Sequence, residues 1–267
     1  MKEPRILVIA PRGKMGKLII KAAADRGLPI AGAIGPKGRD YIGKDVGEVA
    51  QLGRMIGAPV VDEIEKLIDQ CDVIIDFSMT ELSMEVIEAA VRQNKPLVCG
   101  TTGFSKEQVD KIEEAARKIP LLYAANTSKA VNLMNKILAM TAKVLGEESQ
   151  IDIIEMHDHL KLDAPSGTGK EMGHTIAESM GKDFEDIAVY GRSGKGVRKD
   201  GEITFHSIRS GDISSSHTVI FGMMGERLEI THHAHNWECF ARGAVDCALF
   251  LIDRPAGSYS VKDVIVV

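Results

Sequence analysis

Arg5-Ile6-Leu7-Val8-Ile9-Ala10-Pro11-Arg12-Gly13-Lys14-Met15-Gly16 decides the fold class of this 267-residue chain. Its first half is a short, unbroken apolar run, which reads as a parallel strand buried on both faces. A turn bearing Gly13 and Gly16 follows, then an amphipathic helix to about Arg26. In that order, strand, turn and helix let backbone N–H groups approach a pyrophosphate at the helix N-terminus. Ala10, Pro11, Arg12, Gly13, Lys14, Met15 and Gly16 therefore form a candidate dinucleotide-binding turn, with Ala10 in the usual first glycine position. The alternative is a strand-to-helix turn that holds no ligand.

The same alternation continues downstream. Residues 29–34 read as the second strand. Sites that prefer NAD hold the ribose hydroxyls with an acidic residue near this strand's end. Here the end reads Gly35-Pro36-Lys37-Gly38-Arg39, with no carboxylate before Asp40. Lys37 and Arg39 are candidate contacts for a 2′-phosphate, or else plain solvated charges. NADPH is expected to serve at least as well as NADH. Val60-Val61 and a short helix through Asp69 lead to a strand at residues 73–77. Ser78 and Glu81 have capping-box spacing for a helix to about Asn94, and Ser105 and Gln108 have it for the helix after strand 97–100. A further strand covers residues 121–126. Such alternation over residues 1–126 is the pattern of a doubly wound parallel sheet, an α/β, Rossmann-like fold. Ligands on these sheets lie beyond the strand C-termini. Gly100-Thr101-Thr102 and Ala124-Ala125-Asn126-Thr127 fall at those edges.

Residues 128–145 read as an amphipathic helix with Val131, Met134, Ile137, Leu138 and Thr141 on one face. Strand-like runs follow at 151–156, 203–209, 217–221 and 227–233, and few helical crossovers separate them. This half reads as an α+β domain with a mixed or antiparallel sheet. A last helix spans 239–252. The expected division is 1–126 with 238–267 as a dinucleotide-binding domain, and 127–237 as a substrate-binding and oligomerisation domain.

Composition narrows the function classes. Hydrophobic content of 44% and charged content of 27% fit a globular chain. A net charge of −5 gives no electrostatic reason to expect nucleic acid or anionic lipid as a partner. No apolar run approaches the ~18 residues of a membrane span, and no export signal is legible. Cys71, Cys99, Cys239 and Cys247 form no C-x-x-C pair, as expected of free thiols in a reducing cytoplasm.

The chemistry is read at His157-Asp158-His159-Leu160-Lys161-Leu162-Asp163-Ala164-Pro165-Ser166-Gly167-Thr168. On an extended segment His157, His159 and Lys161 would face one side and Asp158 the other. Pro165 ends the strand, and a helix through Met180 starts with Ser166 or Thr168 as N-cap. Exposed N–H groups at that start, beside hydroxyls and a lysine, suit a carboxylate, and an imidazole nearby can deliver a proton. Gly167-Thr168-Gly169-Lys170 fails the P-loop template, with Ala164 and Glu171 at decisive positions. His232-His233-Ala234-His235 lacks the usual zinc spacing, so no metal is expected.

The run Glu155…His157…Lys161-x-Asp163-Ala164-Pro165-Ser166-Gly167-Thr168 closely resembles the signature of the dihydrodipicolinate reductase family. That resemblance implies NAD(P)H-dependent reduction of a cyclic imine dicarboxylate in lysine and diaminopimelate biosynthesis. It implies two catalytic residues, His157 as general acid and Lys161 as the charge that faces a substrate carboxylate and assists proton transfer. Ser166, Gly167 and Thr168 would hold the second carboxylate. It also places Gly100–Thr102 and residues 124–127 at nicotinamide-ribose and hinge positions, and points to a cytoplasmic homotetramer. The chain departs from the family at Asp158, where a substrate-contacting histidine is usual, and at Ala10, 127–130 and Asn236-Trp237. Two alternatives follow: a paralogue reducing another imine or carbonyl compound, or a nucleotide-binding protein without turnover. A hydrolase or lyase using the histidines with a metal is the reading from a further class.

Overall fold

Ile6–Ile9 (β1) is wholly buried in a computed structural model that describes residues 3–265. It is followed by α1 (Lys14–Asp25), β2 (Ile30–Ile34), α2 (Val46–Val49), β3 (Val60–Val61), β4 (Val73–Asp76), α3 (Thr80–Arg92), β5 (Leu97–Cys99), α4 (Lys106–Ala116) and β6 (Pro120–Tyr123). Then come α5 (Lys129–Leu145), β7 (Gln150–His157), α6 (Gly167–Ser179), α7 (Phe184–Ile187), β8 (Ala188–Tyr190), β9 (Ile203–Arg209), β10 (Ser215–Gly222) and β11 (Arg227–Ala234). The chain ends with α8 (Glu238–Leu251), β12 (Gly257–Tyr259) and α9 (Val261–Val264). Two compact units result: Met1–Lys129 with Trp237–Val267, and Ala130–Asn236.

In the first unit the sheet order is β12-β6-β5-β4-β1-β2-β3, and every neighbouring pair is parallel. Side chains of β1 alternate between two cores. Ile6 and Val8 meet Ile19 and Ile20 of α1 and Ala241, Ala244 and Val245 of α8. Leu7 and Ile9 meet Val86 and Ile87 of α3 and Ile112 of α4. Burying each such side chain contributes about 1.5–3 kcal/mol before entropy is counted, which is why the strand reads as an unbroken apolar run. The chain leaves β1 toward β2 and β3 on one side, and toward β4, β5 and β6 on the other. The switch between β1 and β4 opens a crevice at the strand C-termini.

Two sequence expectations differ locally here. Ser105 and Gln108 form their capping box (Gln108 N to Ser105 Oγ 3.3 Å, Ser105 N to Gln108 Oε1 2.9 Å). Ser78 and Glu81 do not, and α3 starts one residue later with Met79 as its N-cap. The Ser78 N–H is instead drawn to Asp76 Oδ1 and Thr101 Oγ1, both at 3.0 Å. After β3, two short 3-10 turns (Ile64–Lys66 and Ile68–Gln70) replace the expected helix.

The second unit holds a five-stranded mixed sheet, ordered β11-β10-β7-β9-β8. β10 is antiparallel to β7 and β11, whereas β9 runs parallel to β7 and β8. One face carries Ile151, Ile153, Phe205, Val219 and Phe221 against Val131, Met134 and Leu138 of α5 and Met172 and Ile176 of α6. Ile137, expected on the buried stripe of α5, is 40% exposed. Along β7 the inward row runs Ile151, Ile153, Glu155, His157, so a core row ends in two ionisable groups, both buried. No helix among the described residues is long and apolar enough to cross a membrane.

Candidate active site

Period-two alternation on β7 sets Glu155 and His157 side by side on the inner face. His157 Nδ1 lies 2.6 Å from Glu155 Oε2, and Glu155 is fully buried. Across the parallel register from His157 stands Arg209 of β9. Its guanidinium grips Glu155 with two bonds, Nη1 to Oε2 at 2.9 Å and Nη2 to Oε1 at 2.8 Å. Nη2 also donates to the carbonyl of Asp163. The backbone N–H of Ser166 adds a 3.2 Å bond to Glu155 Oε1. Burial alone would raise the Glu155 pKa, but the hydrogen bonds from His157 and Arg209 outweigh it and bring it down to about 2. A permanent carboxylate at Nδ1 fixes that nitrogen as the donor, so Nε2 is the atom left to exchange a proton with a ligand.

β7 stops at His157, and the alternation expected through Lys161 does not continue. Asp158 Oδ1 accepts the Leu160 N–H at 2.9 Å, closing a turn. His159 is exposed; its N–H and its Nδ1 both lie near the Gly211 carbonyl, at 3.1 and 2.9 Å. Lys161 returns from that turn with Nζ 2.7 Å from Asp163 Oδ1, its side chain 26% exposed. Burial opposes the charge on Asp163, yet the Lys161 ammonium more than compensates and lowers its pKa.

Ser166 is the N-cap of α6, and its Oγ accepts the Gly169 N–H at 3.0 Å. Thr168 lies inside the first turn, so of the two candidates Ser166 is the cap. The first turn of α6 carries no acidic residue, and nothing stands within 4 Å of where a Gly167 Cβ would be. That is an open, positively polarised helix end. His217 of β10 faces Glu155 across the antiparallel register, 1% exposed, with Nε2 3.2 Å from Ser166 Oγ. Burial foremost, then the His157 and His232 rings, push the His217 pKa down to about 3.

In the first unit the dinucleotide-turn candidates share one edge. Ala10 takes a left-handed φ of 57°, so the chain bends there as it would at a glycine. Gly16 is obligatory, because a Cβ would sit 2.1 Å from the Ala10 carbonyl oxygen. Pro11 is buried, whereas Arg12, Gly13 and Lys14 are exposed and Met15 packs partly into the core. Gly13 caps α1 without a side-chain bond, and the first turn of α1 has no acidic residue. This bare helix start suits a pyrophosphate. Arg12 Nη1 pairs with Asp40 Oδ1 at 2.8 Å, and its guanidinium lies 5.3 Å from the Tyr41 ring centre. At the end of β2, a Cβ on Gly35 would meet that tyrosine ring at 2.6 Å. Lys37 lies 3.8 Å from Glu63, and Arg39 is exposed. Lys14 Nζ sits 3.8 Å over the ring of Trp237.

At the neighbouring strand ends, Gly100 leaves room for Phe77, whose ring would lie 2.2 Å from an added Cβ. Thr101 is buried and accepts from Ser83 Oγ at 2.8 Å, and Thr102 is exposed. Ala124 and Ala125 lie at the edge, Asn126 Oδ1 accepts from Ser128 N at 2.9 Å, and Thr127 Oγ1 donates to the Phe240 carbonyl at 2.7 Å. Sequence reasoning missed Arg209, His217, Tyr41 and the Asp40 pairing. Alternation along each strand was a usable signal for the first two, but the register that brings them to Glu155 and Ser166 was not. Among the described residues no three His, Cys, Asp or Glu side chains gather as metal ligands.

Comparison with known proteins adds to this geometry. A family model described as dihydrodipicolinate reductase, N-terminus, matches residues 4–127, and its C-terminus counterpart matches residues 130–265. A 4-hydroxy-tetrahydrodipicolinate reductase of Pseudomonas fluorescens is 44% identical over 265 residues, and one of Hahella chejuensis is 43% identical over 263; each alignment covers 98% of both chains. Among solved structures, a dipicolinate-bound dihydrodipicolinate reductase from Paenisporosarcina sp. TG-14 has the same fold. Its TM-score is 0.78 at 24% identity, over 99% of this chain and 100% of that one. An amine dehydrogenase from Mycobacterium smegmatis follows at 0.63 and 13% identity, over 98% and 96%.

Proposed function

Because the chain belongs to the dihydrodipicolinate reductase family, we propose that it reduces 4-hydroxy-tetrahydrodipicolinate with NAD(P)H in lysine and diaminopimelate biosynthesis, with His157 as the proton donor. The carrying observation is the buried Glu155–His157 pair, which leaves Nε2 to give up a proton beside an open helix N-terminus. Lys161 offers a positive charge to one carboxylate of the substrate. The N–H groups at Gly167 and Thr168, with the Ser166 hydroxyl, receive the other. Asp158 shapes the turn that delivers Lys161. Glu155 and Arg209 are positioning residues, which fix the tautomer and angle of the His157 ring.

The residues of the first unit fit a dinucleotide. The bare start of α1 with Gly13, Lys14 and Gly16 receives the pyrophosphate, and the segments 100–102 and 124–127 line the nicotinamide end. A bound nicotinamide supplies the hydride, while the protein's part is orientation and electrostatics. NADPH is favoured over NADH on three grounds: Tyr41 excludes a carboxylate at position 35, Asp40 is occupied by Arg12, and Lys37 and Arg39 stand near. The part-buried apolar side chains Ile154, Met156 and Ile220 on the outer face of the second sheet suit a homotetramer, and the enzyme works in the cytoplasm.

The test is to generate the substrate in situ and follow oxidation of NADPH and NADH, with His157→Ala and Lys161→Ala alongside. Each variant is expected to lose about two orders of magnitude in turnover. Near-normal rates in both would overturn the assignment. Rescue of a lysine-requiring bacterium places the activity in its pathway.

A further inference from the structure

We propose that His217 is a positioning residue for substrate binding: it donates its Nε2–H to Ser166 Oγ and so turns the Ser166 hydroxyl hydrogen toward a ligand carboxylate at the start of α6. The inference rests on the reading of that helix start as a carboxylate site. A serine hydroxyl has one hydrogen and two lone pairs. One lone pair of Ser166 Oγ already receives the Gly169 N–H at 3.0 Å. The 3.2 Å contact with His217 Nε2 is then either Ser166 donating or His217 donating.

Surroundings decide between the two. If Ser166 donated, neutral His217 would carry its hydrogen on Nδ1, a buried atom without a hydrogen-bond partner among the described residues. An orphaned N–H inside a protein is rarer than an unused acceptor. If His217 donates, Nδ1 keeps only a bare lone pair, and both Ser166 lone pairs are filled. The hydroxyl hydrogen is then what Ser166 itself has left to offer a ligand.

The ring must stay neutral to hold this arrangement. From β7, His157 faces it edge-on at 5.4 Å between ring centres, with Glu155 beside it; from β11, His232 lies 6.4 Å away. Lys161 adds positive charge from the loop, and Ser166 meets the ring from α6. The one carboxylate in this group, Glu155, is already engaged by His157, Arg209 and the Ser166 N–H. Burial and three basic neighbours therefore keep the ring uncharged.

The experiment measures dipicolinate affinity by calorimetry and steady-state kinetics for the full chain and for His217→Leu, His217→Gln and Ser166→Ala. Gln places an N–H donor near the position of Nε2, whereas Leu fills the space without one. His217→Leu is expected to weaken dipicolinate about tenfold and to raise KM by a similar factor, with kcat and its pH profile changed less than about twofold. Gln is expected to restore most of the affinity. Equal affinity in Leu and Gln variants, or a fall in kcat at constant KM, overturns the proposal. Unchanged dipicolinate binding by Ser166→Ala removes the carboxylate reading beneath it, a separate failure. Nitrogen NMR of the wild-type protein gives an answer independent of any variant: hydrogen on Nε2 of His217 supports the proposal, and hydrogen on Nδ1 refutes it.

Discussion

Ala10 pays for its place in the turn, since a side chain in the left-handed region crowds its own carbonyl by about 1–2 kcal/mol. Ala10→Gly is expected to stabilise the protein by about 1 kcal/mol in urea unfolding while leaving the turn intact. A destabilised variant would mean the methyl group makes compensating contacts. Asp40 acts at the same edge through charge. Its pair with Arg12 is exposed, with side chains 77% and 56% accessible, so its own contribution to stability is small. A 2′-phosphate bound beside the turn would compete with Asp40 for the Arg12 guanidinium. Asp40→Asn is therefore expected to tighten NADPH by up to about fivefold and to leave NADH unchanged. Quenching of Trp237, the chain's single tryptophan, which stacks on Lys14, reads both affinities directly. Equal gains for the two cofactors would place Arg12 away from the 2′ position.

Among elements, β7 carries both core residues and the buried Glu155–His157 pair, and its acid response follows from that. His217, packed against it, titrates near 3 when folded against an ordinary value of 6.5. The unfolded chain takes up this proton as pH falls through 6.5, whereas the folded chain does not until about 3. Stability present above the ordinary value is therefore lost on acidification, by at most about 1.4 kcal/mol per pH unit. Glu155, ordinarily 4.5 and about 2 when folded, contributes stability that is present above 4.5 and lost only as pH falls from there toward 2. Between pH 6.5 and 4.5 the loss thus belongs to His217 foremost, with the half-buried His232, whose pKa burial also lowers. His217→Gln is expected to flatten stability in that window; an unchanged slope would mean the ring is not held neutral. How much of this was legible varies by element. Strands buried on both faces were readable because nothing polar interrupts them, and so was the capping box at Ser105. Ser78 misled because a local carboxylate, Asp76, and a tertiary partner, Thr101, claimed its N–H. Alternation carried past His157 also failed, because the Asp158–Leu160 turn ends the strand. The short elements α2, β8, α7 and β12 are too brief for any period to register. His157, Lys161 and the start of α6 lie within one stretch and could be read together. Arg209 lies more than fifty positions from Glu155 and reaches it only through the pairing of β9 with β7.

For the whole molecule, the chain folds into two units, and the proposed reading gives one of them the dinucleotide and the other the dicarboxylate. The outer face of the second sheet matters at this scale, since the apolar side chains Ile154, Met156 and Ile220 on it are only part-buried. Ile154→Lys is expected to lower the mass seen in light scattering while the circular dichroism spectrum is kept. An unchanged mass would move the interface elsewhere. The central claim is that His157, tethered through Nδ1 to Glu155, supplies the proton that completes the reduction. Single-turnover oxidation of NADPH with in-situ substrate, from about pH 5 to 9, tests it most directly in His157→Asn with and without added imidazole. The expected result is a fall of about a hundredfold or more, a changed pH profile, and partial recovery with imidazole. A near-normal rate with the wild-type pH profile would contradict it.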